Sequence, residues 1–264
     1  MPVIPLTLTN QRGAYLSRIE PASARVRLCR YTAMRPSLLF ALLVPVLIGS
    51  AHVAAAESQC YGTVSRGSIE NSVKLPDSGP NFTAYSTLAA SFGRTYVHSK
   101  VAEIVASAYA TLAKEHPTTA YVYGETGLSS GGRFRPHRTH QNGTSVDFFV
   151  PVKNAEGKSV PLPTGVMMRF GYDIEFDAHA KYKAYGIDFE AMAEHLYQLH
   201  QAAKAKGADM ALVIFDTSYL PKLFATHRGP YLQKNLPFMK GKPWVRHDEH
   251  YHIDFAIPCK SNGG

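Results

Sequence analysis

The chain is poor in cysteine, with three in 264 residues, and has a single tryptophan. Three cysteines cannot build the dense disulfide framework of a small secreted scaffold. From residue 57 onward no basic run is interleaved with aromatics, which removes the usual footprint of a nucleic-acid-binding surface. Internal repeats and low-complexity tracts are absent, so a solenoid or a linker array is excluded. There is no HExxH, no Walker loop and no GxSxG, so none of those chemistries competes for the assignment. The longest apolar run, LLFALLVPVLIG from Leu38 to Gly49, falls short of the ~20 residues a spanning helix needs.

That run has another reading. Arg35 gives it a positive start, and Ala54-Ala55-Ala56 supplies small residues for cleavage, so residues 34–56 read as a signal peptide. Residues 1–33 are a polar, arginine-bearing preface without a core pattern, either a charged leader or a mis-assigned start. The folded part is therefore expected at 57–264, a single domain with no stable membrane span after signal cleavage. Residues 1–56 hold six arginines and one glutamate, which leaves 22 basic and 19 acidic residues, so the net charge falls from +8 to +3. Such a mild positive charge suits an anionic polymer only weakly.

Cys29 leaves with the leader, and Cys60 and Cys259 remain at opposite ends of the mature chain. In an exported protein they are expected to form one disulfide. Neither has a partner Cys or His at metal-ligand spacing.

The pattern of apolar residues predicts an α+β fold: a central antiparallel sheet flanked by helices. Helices are expected at Val101–Glu115, Phe189–Lys206 and Ser218–Thr226. Strands are expected at Ala120–Tyr123, Val146–Val152, Met210–Phe215 and His250–Ile257, and Leu128 to Gly132 reads as a loop.

Against this background, two windows concentrate chemistry. Pro136 to Asp147 and Trp244 to Phe255 together hold five of the twelve histidines. Imidazole plus carboxylate is the ligand chemistry of a catalytic zinc, which takes three protein ligands and keeps one position open. In the first window, six residues separate His140 from Asp147, and the Asn142-Gly143 turn between them can fold both toward one point. Alone, that pair is weak evidence. In the second window, strand alternation sends His250, His252 and Asp254 to one face, and Tyr251, Ile253 and Phe255 to the core face.

His140-x6-Asp147 followed by His250-x-His252 resembles the signature of the LAS metallopeptidases. That group includes lysostaphin-type enzymes, D-alanyl-D-alanine carboxypeptidases and dipeptidases, and the sonic hedgehog fold. Within it the chain is most similar to the penicillin-insensitive murein endopeptidases. The matching stretches are Gly131-Gly132-Arg133-Phe134, His137-x2-His140, the spacing to Asp147, and Pro243-Trp244-x2-His247-x2-His250-x-His252. Cys60-Tyr61-Gly62-Thr63 and Gly93-Arg94-Thr95-Tyr96-Val97-His98 extend the likeness, which covers most of residues 60–259.

The resemblance implies that His140, Asp147 and His252 bind Zn2+, with the fourth position left for water. It implies His250 as general base or transition-state stabiliser, and His247 and His137 as residues that orient water or bind substrate. Related dipeptidases use a Glu three residues before the last ligand, where Glu249 stands here. Strand alternation places Glu249 opposite His252, which favours His250 as the base, although a loop at that point would let Glu249 reach the site. Arg133 and Arg135 are candidates for a substrate carboxylate or are solvated loop arginines. Trp244 and Tyr251 read as core more than groove, and His195 and His200 read as surface. His98, His116, His179 and His227 receive no role.

The function implied is a zinc endopeptidase that cuts peptide cross-links of bacterial peptidoglycan, at the D-alanyl–meso-diaminopimelyl bond, in the periplasm. Two alternatives stay open: a D-alanyl-D-alanine carboxypeptidase or dipeptidase on the same fold, and a non-catalytic wall-binding protein whose fourth metal position is closed by Asp254 or His247. A toxin aimed at rival bacteria is compatible with the same residues.

Overall fold

A computed structural model describes residues 56–262. The expected signal peptide, the preface before it and Cys29 lie outside the described residues. No helix among the described residues is long and apolar enough to cross a membrane.

The framework is a five-stranded sheet in the spatial order Met210–Ile214, His250–Phe255, Ser145–Phe149, Tyr121–Tyr123, Phe82–Ala84. The first four strands are antiparallel neighbours. The edge strand Phe82–Ala84 runs parallel to Tyr121–Tyr123, so the sheet is mixed and not wholly antiparallel as expected. That edge strand is followed by a crossover through the Ser99–Glu115 helix, the kind of connection a parallel pair requires. The fold class is α+β, with one domain over this region.

Ser99–Glu115 and Phe189–Ala205 are the two long helices, and they pack against each other. His98 caps the first, its Nδ1 accepting from the Lys100 N–H at 3.1 Å. Asp188 caps the second, accepting from the Ala191 N–H at 3.2 Å. The second helix ends just before Gly207, whose φ of +66° is the left-handed geometry that glycine adopts at low cost. The helices cover one sheet face, where Tyr109 and His195 lie against Phe148, and His195 also against Tyr251. The other face is left for polar chemistry.

Two expectations of local structure change. The predicted strand Val146–Val152 stops at Phe149, and Val152–Lys153 joins a small second sheet. Pro151 has no N–H to give the ladder, so the chain turns away there. The expected helix at Ser218–Thr226 is confined to Leu220–Phe224.

Cys60 and Cys259 are joined by a disulfide that spans 199 residues. The bond ties the N-terminal hairpin Gln59–Thr63/Arg66–Glu70 to the segment after the last central strand. Two backbone hydrogen bonds reinforce it, Gly62 N to Lys260 O at 2.8 Å and Lys260 N to Cys60 O at 3.0 Å.

Candidate metal centre

The centre of the sheet sets the geometry. Ser145–Phe149 and His250–Phe255 are adjacent and antiparallel, in a register that puts Asp147 opposite His252 and Ser145 opposite Asp254. Directly opposed side chains on one face lie within contact distance. On the reverse face, Val146, Phe148, Tyr251 and Ile253 are buried in the core. The alternation expected for His250, His252 and Asp254 is therefore the alternation observed.

His252 Nδ1 lies 2.8 Å from Asp147 Oδ1. Its other nitrogen, Nε2, is 2.7 Å from Asp254 Oδ1, an oxygen that also accepts from Ser145 Oγ at 2.6 Å. His140 reaches the same carboxylate from a loop, with Nε2 3.2 Å from Asp147 Oδ1. The backbone at His140 is left-handed, φ +66°, and its Nδ1 donates to the Thr126 carbonyl at 3.1 Å. The turn before Asp147 depends on Gly143, φ +76°, where a Cβ would stand 2.5 Å from Ile69 Cδ1 and 3.0 Å from the His98 nitrogen.

His140 Nε2 is fully buried and, among the described residues, makes no aligned hydrogen bond, with Asp147 Oδ1 3.2 Å away. An orphaned imidazole nitrogen aimed at a buried carboxylate is costly unless something bridges them. His140 and His252 share one arrangement: the outer nitrogen is pinned by an acceptor, and the inner nitrogen faces Asp147. Metal-ligating histidines are oriented in this way by their outer partners. The donor set, two imidazole nitrogens and a carboxylate oxygen, fits zinc chemistry. His137 approaches as well, its Nδ1 3.6 Å from Asp147 Oδ2. His137, His140 and Asp147 each offer a donor atom within 4.8 Å of the others.

Glu249 corrects the sequence reading. The strand begins at His250, so alternation does not govern the residue before it. Glu249 is buried and lines the same cleft, and its Oε1 is 2.9 Å from His250 Nδ1. Burial opposes a charge on His250, but the Glu249 carboxylate beside it raises its pKa to about 9. His247 behaves oppositely: burial, and then the charge of His250, lower its pKa to about 4. The two rings are 4.7 Å apart, and His247 Nδ1 donates to the Val245 carbonyl at 2.9 Å.

These groups line a cleft of about 680 Å³. Val166, Phe170, Tyr172, Trp244 and Val245 contribute apolar surface to its lining. Trp244 is half exposed and belongs to the groove, whereas Tyr251 is fully buried in the core. Arg133 does not reach the cleft. With Arg135 and Arg138 it lines an adjoining depression of about 560 Å³, which shares Pro136, His137 and Arg138 with the cleft.

His195 and His200 are buried, contrary to the surface reading. His195 Nδ1 is hydrogen-bonded to the Tyr251 hydroxyl, and His200 lies 2.8 Å from the Tyr231 hydroxyl and 2.9 Å from Asp209. Glu125 and Tyr172 escaped the sequence reading altogether. Both contact His137, Glu125 Oε2 at 2.5 Å and Tyr172 Oη at 2.9 Å from Nε2. The one available signal for Glu125 was a charged residue directly after the apolar run Tyr121-Val122-Tyr123-Gly124.

Asp254 is engaged with His252 Nε2, and His247 Nδ1 with the Val245 carbonyl. No curated protein matches the chain in a direct comparison. The family model for penicillin-insensitive murein endopeptidase does match, over residues 60–263. That match takes in both histidine windows, both bridged cysteines and every strand of the central sheet, and the chain belongs to the penicillin-insensitive murein endopeptidase family.

Proposed function

We propose that the protein is an exported, zinc-dependent endopeptidase that hydrolyses D-alanyl–meso-diaminopimelyl cross-links of peptidoglycan in the periplasm. The observation that carries the zinc reading is the orphaned His140 Nε2, buried and directed at Asp147. His140, Asp147 and His252 are the ligands. His252 is preferred over His137 because it stands closer to Asp147, on a rigid central strand, with its outer nitrogen pinned by Asp254. When bound, zinc supplies Lewis acidity toward a water and toward the scissile carbonyl.

The chain's own residues handle the proton. Glu249 holds His250 Nδ1, which leaves Nε2 of that ring for the substrate. With its pKa raised to about 9 the His250 ring carries hydrogen on Nε2, which stabilises the developing oxyanion and passes to the leaving amine as the C–N bond breaks; the attacking water's proton then restores the ring. Glu249 acts behind His250 as its orienting carboxylate and stabilises the protonated ring. His247 packs beside this ring and narrows its rotation.

Substrate binding draws on both depressions. The amine released from such a cross-link belongs to a carbon that also bears a carboxylate. Arg133, Arg135 and Arg138 beside the cleft make no ion pair among the described residues, and they are the cations available to that group. Two adjoining depressions provide room on both sides of a bond, as an endopeptidase needs. The disulfide agrees with an oxidising compartment.

The test is digestion of purified cross-linked sacculi by the protein from residue 57, with fragments read by mass spectrometry. Conversion of cross-linked dimers to intact monomers is expected. Surviving dimers with stems shortened by one D-alanine would replace the endopeptidase with a carboxypeptidase. His252→Ala should abolish both zinc binding and cleavage, whereas His250→Ala should keep the metal and lose most turnover.

A further inference from the structure

Glu125 is no metal ligand in this account, yet it is heavily engaged beside the centre. It follows the Tyr121–Tyr123 strand by two residues and is buried. Its carboxylate accepts from the Tyr85 hydroxyl at 2.7 Å, the Tyr172 hydroxyl at 3.1 Å, the Arg94 guanidinium, and His137 Nε2 at 2.5 Å. A guanidinium and two tyrosine hydroxyls donating to one carboxylate are the surroundings of its ionised form. An ionised carboxylate has no hydrogen to give. The hydrogen in the 2.5 Å contact therefore sits on His137 Nε2.

The other ring nitrogen follows from this. Nδ1 is 3.6 Å from Asp147 Oδ2, beyond hydrogen-bond length, within the compact donor group it forms with His140 and Asp147. Arg94 adds a second hold on the same loop, donating to the Arg135 carbonyl at 2.7 Å and lying 4.1 Å over the Phe134 ring.

We propose that Glu125 is a positioning residue: by accepting from His137 Nε2 it selects the ring's tautomer and turns the Nδ1 lone pair toward the metal-binding end of the cleft. His137 thus presents an acceptor there, able to orient a water or a substrate N–H. Without Glu125 the ring is free to carry its hydrogen on Nδ1, a donor where an acceptor is needed.

The test has two arms. Ring nitrogens of 15N-labelled, metal-free protein are read by 1H–15N correlation at alkaline pH. The wild type should show His137 as the Nε2–H tautomer alone. Glu125→Met, similar in size but without an acceptor, should show a mixture, and Glu125→Gln should restore the wild-type form through its amide oxygen. Arg94→Met is added should the lone guanidinium unfold the Met variant. A pure Nε2–H tautomer in Glu125→Met would overturn the proposal.

The second arm rests on the peptidase reading. Glu125→Met should lower kcat by about 10- to 100-fold with little change in KM, the usual scale for a lost outer partner. In a His137→Ala background it should cost nothing further. Equal losses in both backgrounds would also overturn the proposal. Wild-type protein inactive on cross-linked wall would sink the peptidase reading and leave the NMR arm to decide.

Discussion

Acidification should destabilise the fold through His195, a histidine that plays no part in the metal centre. It lies fully buried between Tyr109, Tyr121 and Phe148, and burial lowers its pKa from the ordinary 6.5 to about 3. The folded chain thus refuses a proton that the unfolded chain accepts below pH 6.5. Stability from this group is complete above that pH and is lost as pH falls through the window toward 3. At pH 5 the linkage amounts to about 2 kcal/mol, and it grows by about 1.4 kcal/mol per further unit until the folded pKa is reached. Other histidines and carboxylates titrate over the same range, so the observable is a difference. His195→Gln keeps an acceptor for the Tyr251 hydroxyl but cannot titrate. Urea unfolding of metal-free wild type and variant, followed by circular dichroism at pH 7.5, 6.5, 5.5 and 5.0, gives two curves. The variant starts lower, and the gap should close by about 2 kcal/mol at pH 5. Parallel curves would refute the reasoning, because they would mean that His195 is no less basic folded than unfolded.

Three further outcomes are expected. Replacing Cys60 and Cys259 by serine releases a loop of 199 residues and should cost up to about 5 kcal/mol in the chain-entropy treatment, read as a fall in the urea midpoint; an unchanged midpoint would contradict it. Asp254→Asn leaves His252 Nε2 with a weaker acceptor that can flip, and should weaken zinc binding by about 10- to 100-fold in chelator competition; unchanged affinity would remove Asp254 from the account. Gly143→Ala forces a Cβ into a left-handed turn against Ile69 and the His98 nitrogen, and should destabilise by more than about 1 kcal/mol by urea unfolding, with loss of bound metal; a neutral effect would show that the turn yields easily.

What could be read beforehand follows physical lines. Period-two alternation held for His250, His252 and Asp254 because they lie inside a strand, and it failed for Glu249 because the strand starts one residue later. The pairing of Asp147 with His252 joins positions about a hundred residues apart, and no local pattern specifies that register. His195 and His200 looked solvent-facing because five-residue spacing divides them between faces of a helix. Both faces are covered in the fold, and the hydroxyls that satisfy the two rings come from Tyr251 and Tyr231, far along the chain. Glu125 carries no spacing motif, since its four partners are gathered from four separate segments. Pro151 was visible in the sequence, and its missing N–H accounts for the strand that ended early.

The central claim concerns which side chains hold the metal. A crystal of zinc-loaded protein measured on both sides of the zinc absorption edge tests it directly. The account predicts one anomalous peak about 2.0–2.2 Å from His140 Nε2, an Asp147 oxygen and His252 Nδ1, with His137 Nδ1 outside bonding distance. A peak bonded to His137 in place of His252, or none at this centre, would contradict it.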